Sequence, residues 1–119
     1  MSDYLSIIHY EDEYGVAFMI ESDEIFALGE RMNAICEDAY MNGYDWDAVI
    51  NCWLEVNAPE LLDGLDSDPE AGSYSAYYSG TDDNEGRAKR LAGIITEMVA
   101  DEQALMDFLQ AHADDIQWD

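Results

Sequence analysis

The feature that most constrains this chain is a helix stop next to a helix start, in the stretch around position 45. Asn42 and Gly43 both tolerate the left-handed backbone conformation that closes a helix, so they predict the end of one helix. Asp45 is a good N-cap for the next helix, because its carboxylate can accept hydrogen bonds from the amides of the first turn. Tyr44 and Trp46 lie between these signals and can pin the two helices together. The stretch therefore predicts a helix–helix corner.

Helical periodicity continues on both sides of this corner. The first helix is predicted from Ser22 to about Tyr40, since it has an acidic first turn and apolar residues on one face. The second must stop near Ala58, because a residue that precedes proline is pushed out of helical geometry. The apolar positions of the two helices are Ile25, Leu28, Met32, Ile35, Cys36 and Ala39, and then Trp46, Val49, Ile50, Trp53 and Leu54.

Three segments have the composition of β-strands. Residues 4–10 and 14–20 are rich in β-branched and aromatic residues and flank a short acidic connection, which predicts an N-terminal hairpin. Residues 73–78 alternate small and aromatic side chains and predict a third strand. Before this strand, Pro59 is expected to start a short helical turn and residues 68–72 to form a turn around Pro69.

Two more helices are predicted in the last third of the chain. Asp82 and Glu85 have the spacing of a capping box, and an apolar stripe follows from Ala88 to Val99. A last helix is expected from Asp101 to near Trp118. The predicted fold is therefore α+β, in the order ββ-α-α-β-α-α. A small antiparallel sheet, made of the N-terminal hairpin and one later strand, is covered by about four helices in a single domain, residues 1–119.

The charge balance restricts the partners of such a domain. The chain has 28 acidic and only 4 basic residues, a net charge of −24. It should repel nucleic acid and anionic membranes and attract cationic proteins. Because solubility needs a net charge of only about 2–8 units, the excess indicates an electrostatic role. Enzymes that act on nucleic acids are the natural basic partners, since they carry Lys and Arg to neutralise phosphates.

The signatures of catalysis and metal binding are missing. His9 and His112 are isolated, without a nucleophile motif near either, so we expect no enzyme, no catalytic residues and no cofactor. Residues 66–70 place oxygens at alternate positions, as a calcium loop does. Ala71 and Tyr77 nevertheless stand where that loop requires Gly and Glu, so we expect no metal site.

The remaining sequence features predict a cytoplasmic protein. The chain has no recognisable targeting segment and no apolar run of membrane-spanning length. Its two cysteines, Cys36 and Cys52, lie on or beside apolar helix faces and are interpreted as small buried side chains in a reducing compartment.

Two segments resemble the bacterial immunity protein 51 family: Asn42-Gly43-Tyr44-Asp45-Trp46 and Leu65-Asp66-Ser67-Asp68-Pro69-Glu70-Ala71-Gly72-Ser73-Tyr74. Trp53-Leu54 and Ala58-Pro59-Glu60-Leu61 are similar to the family pattern at a similar spacing. The resemblance covers most of the chain after residue 15. It implies a protein that is encoded beside a polymorphic or contact-dependent toxin and neutralises that toxin in the cytoplasm by binding it.

The hypothesis is an immunity protein that occludes the active site of a basic toxin, expected to be a nuclease. It would act as a monomer in a one-to-one complex, without direct contact with nucleic acid or membrane. Acidic side chains would mimic phosphates, and exposed aromatic side chains would anchor the partner. The candidate toxin-binding residues are Tyr44, Asp45, Asp47, Asp63, Asp66, Asp68 and Glu70. The residues with an expected structural role are Asn42, Gly43, Trp46, Trp53, Pro59, Pro69 and Gly72.

The same charge argument leaves two alternatives. One is a DNA-mimic inhibitor of a DNA-binding defence enzyme, of the anti-restriction type. It would be displaced by DNA and would act on many proteins of one kind, whereas an immunity protein acts on one toxin. The other is an acidic assembly factor, which would self-associate; a net charge of −24 disfavours this at low salt.

Overall fold

The computed structural model describes residues 4–118, which form one antiparallel sheet and four α-helices. The predicted α+β class is confirmed, with one strand more than expected. The elements in order are β1 (Leu5–Tyr10), β2 (Glu13–Met19), α1 (Asp23–Ile35), α2 (Gly43–Asn57), a 3-10 helix (Pro59–Leu62), β3 (Leu65–Ser67), β4 (Ser73–Tyr78), α3 (Asn84–Ala100) and α4 (Glu102–His112).

The sheet has the strand order β1-β2-β4-β3, and every neighbouring pair is antiparallel. Burial alternates along β4, where Tyr74, Ala76 and Tyr78 are buried and the residues between them are partly exposed. On β2, Val16 and Phe18 are buried on the same face. This inner face carries the core, with α3 across β1 and β2 and α2 against β4. The other side of the sheet is called the outer face below.

The first helix ends earlier than its apolar pattern predicts. It stops at Ile35 rather than near Tyr40, and the extended residue Cys36 donates its N–H to Met32 O as the C-cap. The pattern misleads because Ala39, which lies in the following loop, is fully buried. A buried loop residue at helical spacing cannot be told from a helix by periodicity alone.

The corner between α1 and α2 also differs from the prediction. The left-handed residue is Met41, at φ 57°, rather than Asn42 or Gly43. Asn42 is the N-cap of α2, because its side chain accepts from the N–H of Asp45 at 2.9 Å. The prediction that Asp45 caps this helix was therefore wrong. Asn42, three residues earlier, also has a side-chain oxygen that can accept a hydrogen bond from the first turn, so the helix begins with Gly43.

Three more boundaries differ from the sequence interpretation. Leu65–Ser67, where no strand was predicted, forms the edge strand β3 because β4 folds back antiparallel beside it. The N-cap of α3 is Asp83 rather than Asp82, and its side chain accepts from Gly86 N. Helix α4 ends at His112 rather than near Trp118.

Two further properties concern the chain as a whole. Cys36 and Cys52 are both free thiols; Cys52 is buried as predicted, whereas Cys36 is only partly buried. Between residues 4 and 118, none of the helices has the length and apolar character needed to cross a membrane.

Candidate functional site

The two segments that carry the family resemblance meet in the structure. Gly43 donates its N–H to Ala71 O at 3.0 Å, which fastens the start of α2 to the turn before β4. A Cβ at Gly43 would lie 1.7 Å from Glu70 O and 2.2 Å from Ser73 O. Only a residue without a side chain can therefore occupy this position. We call this contact between Gly43 and residues 70–73 the glycine joint.

Asp45 lies inside the protein, directly behind the glycine joint. It is 0% exposed, and its carboxylate accepts from Met41 N at 3.1 Å. The neighbouring Trp46 is also buried and packs edge-to-face on Phe18, with ring centroids 5.0 Å apart. Asp45 was predicted as a toxin contact, but its burial places it among the residues that hold the fold. Trp46 has the position expected of a structural residue.

Asp47 connects α2 with the edge strand β3. Its side chain is half-buried, and burial raises its pKa, while the neighbouring Ser67 and Asn51 side chains lower the pKa by a smaller amount. One of its carboxylate oxygens, Oδ1, is buried without a hydrogen-bond partner in the described chain. Asp47 also contributes, after burial, to raising the pKa of the buried Tyr74. Asp47 therefore lies where α2 approaches Ser67 of β3.

Tyr44 lies at the surface, 43% exposed, at one end of a groove along α2. The groove has a volume of about 140 Å³, and its lining includes three carboxylates. Its residues are Tyr44, Asp47, Ala48, Asn51, Cys52, Glu55, Asp115 and Gln117. The structure therefore brings two of the predicted contacts, Tyr44 and Asp47, into one surface feature.

The other predicted contacts lie along the β3 edge of the sheet. Asp63, Asp66, Asp68 and Glu70 are all exposed. The backbone beneath them is fixed, since Asp68 N donates to Ser75 O at 2.7 Å and Ser75 Oγ donates to Asp68 O at 3.1 Å. We call Asp66, Asp68 and Glu70 the acidic edge. It presents carboxylates from an ordered strand and turn.

All four basic residues of the chain are engaged within the protein. The three ion pairs are Arg31 with Glu102 at 2.7 Å, Lys89 with Glu85 at 3.2 Å, and Arg90 with Glu60 at 2.8 Å. The fourth, Arg87, donates to Glu60 O at 2.6 Å and Asp63 O at 3.3 Å. No Lys or Arg among residues 4–118 therefore pairs with the acidic edge. Its negative charge is left to act on solvent ions and on partners.

A second acidic surface was not predicted as a unit. The turn between β1 and β2 lies beside the start of α3, and Asn84 Nδ2 donates to Asp12 O at 2.9 Å. Between them is a cleft of about 480 Å³ with five carboxylates, those of Glu11, Asp12, Asp82, Asp83 and Glu85. These acids form two separate runs in the sequence. The pairing of β2 with β4, which sets Tyr14 beside Tyr78, brings the runs together, and a strand register of this kind cannot be derived from composition.

The remaining residues with a predicted structural role have framework positions. Trp53 packs on Phe108 with ring centroids 4.8 Å apart, and Pro59 is the first residue of the 3-10 helix. Pro69 and Gly72 belong to the turn before β4, where the side chain of Glu21 lies against Gly72. Within the part of the chain that the structure describes, no group of three or more His, Cys, Asp or Glu could hold a metal ion.

Comparison with known proteins agrees with this arrangement. The sequence model of a family described as immunity protein 51 matches residues 5–114, which include the glycine joint and the acidic edge. No curated protein and no solved structure matches the chain. Because the match spans nearly the whole domain, the resemblance drawn from the two motifs is confirmed. The chain belongs to the immunity protein 51 family and is thus an immunity protein, of the kind that generally neutralises a toxin.

Proposed function

We propose that this protein neutralises a basic nuclease toxin by covering its active site with acidic side chains. The observation that supports this most is the distribution of charge. The four cations are engaged in internal contacts, whereas Asp66, Asp68 and Glu70 on the acidic edge have no cationic partner among the described residues. A nuclease carries Lys and Arg that bind phosphates, and these would pair with the uncompensated carboxylates.

The proposed contact set is the predicted one without Asp45, which is buried. It consists of Tyr44, Asp47, Asp63, Asp66, Asp68 and Glu70. The exposed carboxylates would steer the toxin toward the complex, since complementary charge raises association rates. Tyr44 would supply a rigid aromatic anchor beside them. The complex is proposed to contain one copy of each protein and to form in the cytoplasm.

The test is the association rate with the toxin encoded beside this gene, measured over a range of NaCl concentrations. At low salt, the block Asp66→Asn/Asp68→Asn/Glu70→Gln should lower the rate roughly 10-fold or more, because steering by such charges raises on-rates by 10-fold and above. The matched control is Glu30→Gln/Glu37→Gln/Asp38→Asn, which removes three exposed carboxylates from α1 and the loop after it. It should change the rate by less than about threefold.

Several outcomes would contradict parts of the proposal. A rate that does not depend on salt would exclude electrostatic steering by the acidic edge. A toxin without DNase or RNase activity would exclude the nuclease assignment and leave the immunity function in place. Displacement by DNA, together with inhibition of several unrelated DNA-binding proteins, would favour the DNA-mimic alternative.

A further inference from the structure

On the outer face of the sheet, the residues of β1, β2 and β4 are exposed or partly exposed within residues 4–118, except for Gly15. These residues form cross-strand rows, of which one joins Ile8, Gly15 and Tyr77 and the next joins Ser6, Ala17 and Ser75. At two corners, Tyr10 and Met19 are 67% and 48% exposed. Within the described chain, Ile8, Met19 and Tyr77 are not among the side chains that pack against the hydrophobic core. These apolar groups face solvent instead.

This face has almost no charge, although the protein is strongly acidic. Strands β1, β2 and β4, of 6, 7 and 6 residues, contain one acidic residue, Glu13, and no Lys or Arg. The solvated side of an antiparallel sheet is usually polar. Here its centre is uncharged and, apart from Ser6, Ser73 and Ser75, apolar. A Cβ built on Gly15 would lie 2.9 Å from Tyr77 Cδ1, so the Tyr77 ring covers the glycine. Aromatic and Met side chains with few charges are typical of the centre of a protein interface.

Acidic residues border this apolar centre. Asp66 of β3 is paired with Tyr77, so it stands at the β3 end of the same cross-strand row. Glu13 is paired with Tyr10 next to the acidic turn between β1 and β2. A complementary partner therefore has an apolar centre flanked by Lys or Arg. A second copy of this chain does not fit, since it would bring one acidic border against another on two proteins of net charge −24.

The size of the face agrees with a role as the centre of a larger interface. The three longer strands, of 6 or 7 residues and about 20 Å long, lie about 4.8 Å apart and cover roughly 300 Å². A specific complex of standard size buries about 800 Å² on each partner. The face would supply somewhat more than a third of this area, and the acidic edge, which continues from β3, can supply part of the rest.

We propose that the outer face is the docking surface for the toxin, with its apolar side chains seated on an apolar patch of the toxin and its border on surrounding Lys and Arg side chains. This inference rests on the proposed function and deepens it. It assigns the anchoring contacts to the sheet, in addition to the carboxylates that steer association. Loss of the sheet contacts should therefore act mainly on the dissociation rate, and loss of border charges on the association rate.

The test uses the double variant Tyr10→Lys/Met19→Lys, because both side chains are already exposed and their replacement should not unfold the protein. The matched control is Phe26→Lys/Tyr40→Lys, which makes the same charge change at two exposed aromatic residues of the helical side, 60% and 76% exposed. Affinity for the cognate toxin is measured with purified proteins. The outer-face variant should bind at least roughly 30-fold more weakly, mainly through faster dissociation, and the control within about threefold of the parent. Thermal unfolding of both variants should stay close to that of the parent.

Each outcome of these measurements supports or contradicts one part of the inference. If the parent binds the toxin and the outer-face variant binds equally well, the docking inference is wrong while the proposed function stands. If the Phe26/Tyr40 variant alone loses binding, the toxin docks on the helical side. If sedimentation of the parent shows a dimer that the Tyr10/Met19 variant abolishes, the occupant is a second copy and the inference is overturned. If the parent itself neither binds nor inhibits the toxin, the proposed function fails first.

Discussion

Replacement of glycine by alanine should have opposite effects at two helical glycines. It should strongly lower the free energy of unfolding at Gly43, in the glycine joint, and slightly raise it at Gly93. In Gly43→Ala the new Cβ would lie 1.7 Å from Glu70 O and 2.2 Å from Ser73 O, and both neighbours are backbone atoms. Neither can move away as the tip of a flexible side chain can. The start of α2 and the turn at residues 70–73 must therefore separate. The hydrogen bond from Gly43 N to Ala71 O, at 3.0 Å, would be lost with them.

The magnitude follows from these two effects at Gly43. Forcing extra volume into a packed contact costs about 1–3 kcal/mol. Loss of the backbone hydrogen bond adds about 1 kcal/mol. Gly43→Ala should therefore lower the free energy of unfolding by about 2–4 kcal/mol. For a chain of this length that corresponds to a fall in Tm of roughly 10 °C.

Gly93 in the middle of α3 is the matched control, because nothing lies within 4 Å of its Cβ position. There the same change removes only the backbone entropy penalty of glycine in a helix. Gly93→Ala should raise the free energy of unfolding by about 0.5–1 kcal/mol. Urea unfolding of the parent and both variants, with equal m-values, measures the difference. A Gly43→Ala protein as stable as the parent would refute the steric reasoning, whatever Gly93→Ala shows.

Buried polar groups give three further predictions. Tyr78→Phe should cost about 1–2 kcal/mol in urea unfolding, because its hydroxyl donates to a carbonyl of the 3-10 helix at 2.6 Å. Burial raises the pKa of Tyr78 to about 12, so as the pH rises the tyrosine ionises in the unfolded chain before it ionises in the folded one. The parent should therefore lose stability between about pH 10 and pH 12, and the Tyr78→Phe variant should lose less. By contrast, Tyr74→Phe should cost less than about 0.5 kcal/mol, since the Tyr74 hydroxyl has no partner among residues 4–118; equal losses in the two variants would contradict this. Asp47→Asn should stabilise the protein near pH 7, because burial raises the pKa of Asp47 and disfavours its ionised form. The gain should shrink toward about pH 4 as the folded parent takes up its proton, with Asp38→Asn as the control for net charge. Asp45→Ala should cost about 2–3 kcal/mol by leaving a buried backbone N–H without its acceptor, and should not change the salt dependence of toxin association.

Sequence reasoning predicted the elements whose pattern is local. Helices α2 and α3 carry buried apolar residues at helical spacing over several turns, so their periodicity is clear. The hairpin of β1 and β2 is predicted by its composition. Strand β3 was not predicted because it has only 3 residues, of which one is acidic. It becomes a strand through its pairing with β4, and no local pattern contains that information. The end of α1 was missed because the buried residues of the following loop continue its spacing.

The candidate site was less predictable than the fold, because acidic residues at similar positions differ in environment. Asp45 and Asp47 lie in the same turn of α2, yet the first is fully buried and the second half-buried. An acidic residue is almost never buried unless it has partners, and one partner of Asp45, the N–H of Met41, lies in the loop that adopts a left-handed turn before α2. The convergence of Asp12 and Asp82 in the second acidic cleft likewise depends on strand register.

The segment from Asp66 to Ser73 supports the fold through its backbone and carries the proposed contact residues through its side chains. Gly43 meets the turn at residues 70–73 through backbone oxygens, whereas the carboxylates of Asp66, Asp68 and Glu70 are exposed. Substitutions in the acidic edge therefore leave the glycine joint intact, and surface substitutions of this kind usually change stability by less than about 0.5 kcal/mol. Substitution of Gly43 would displace the whole edge together with its carboxylates. Under the proposed function, binding specificity can change at the exposed side chains without a loss of stability, because the backbone beneath them is held from the other side by α2.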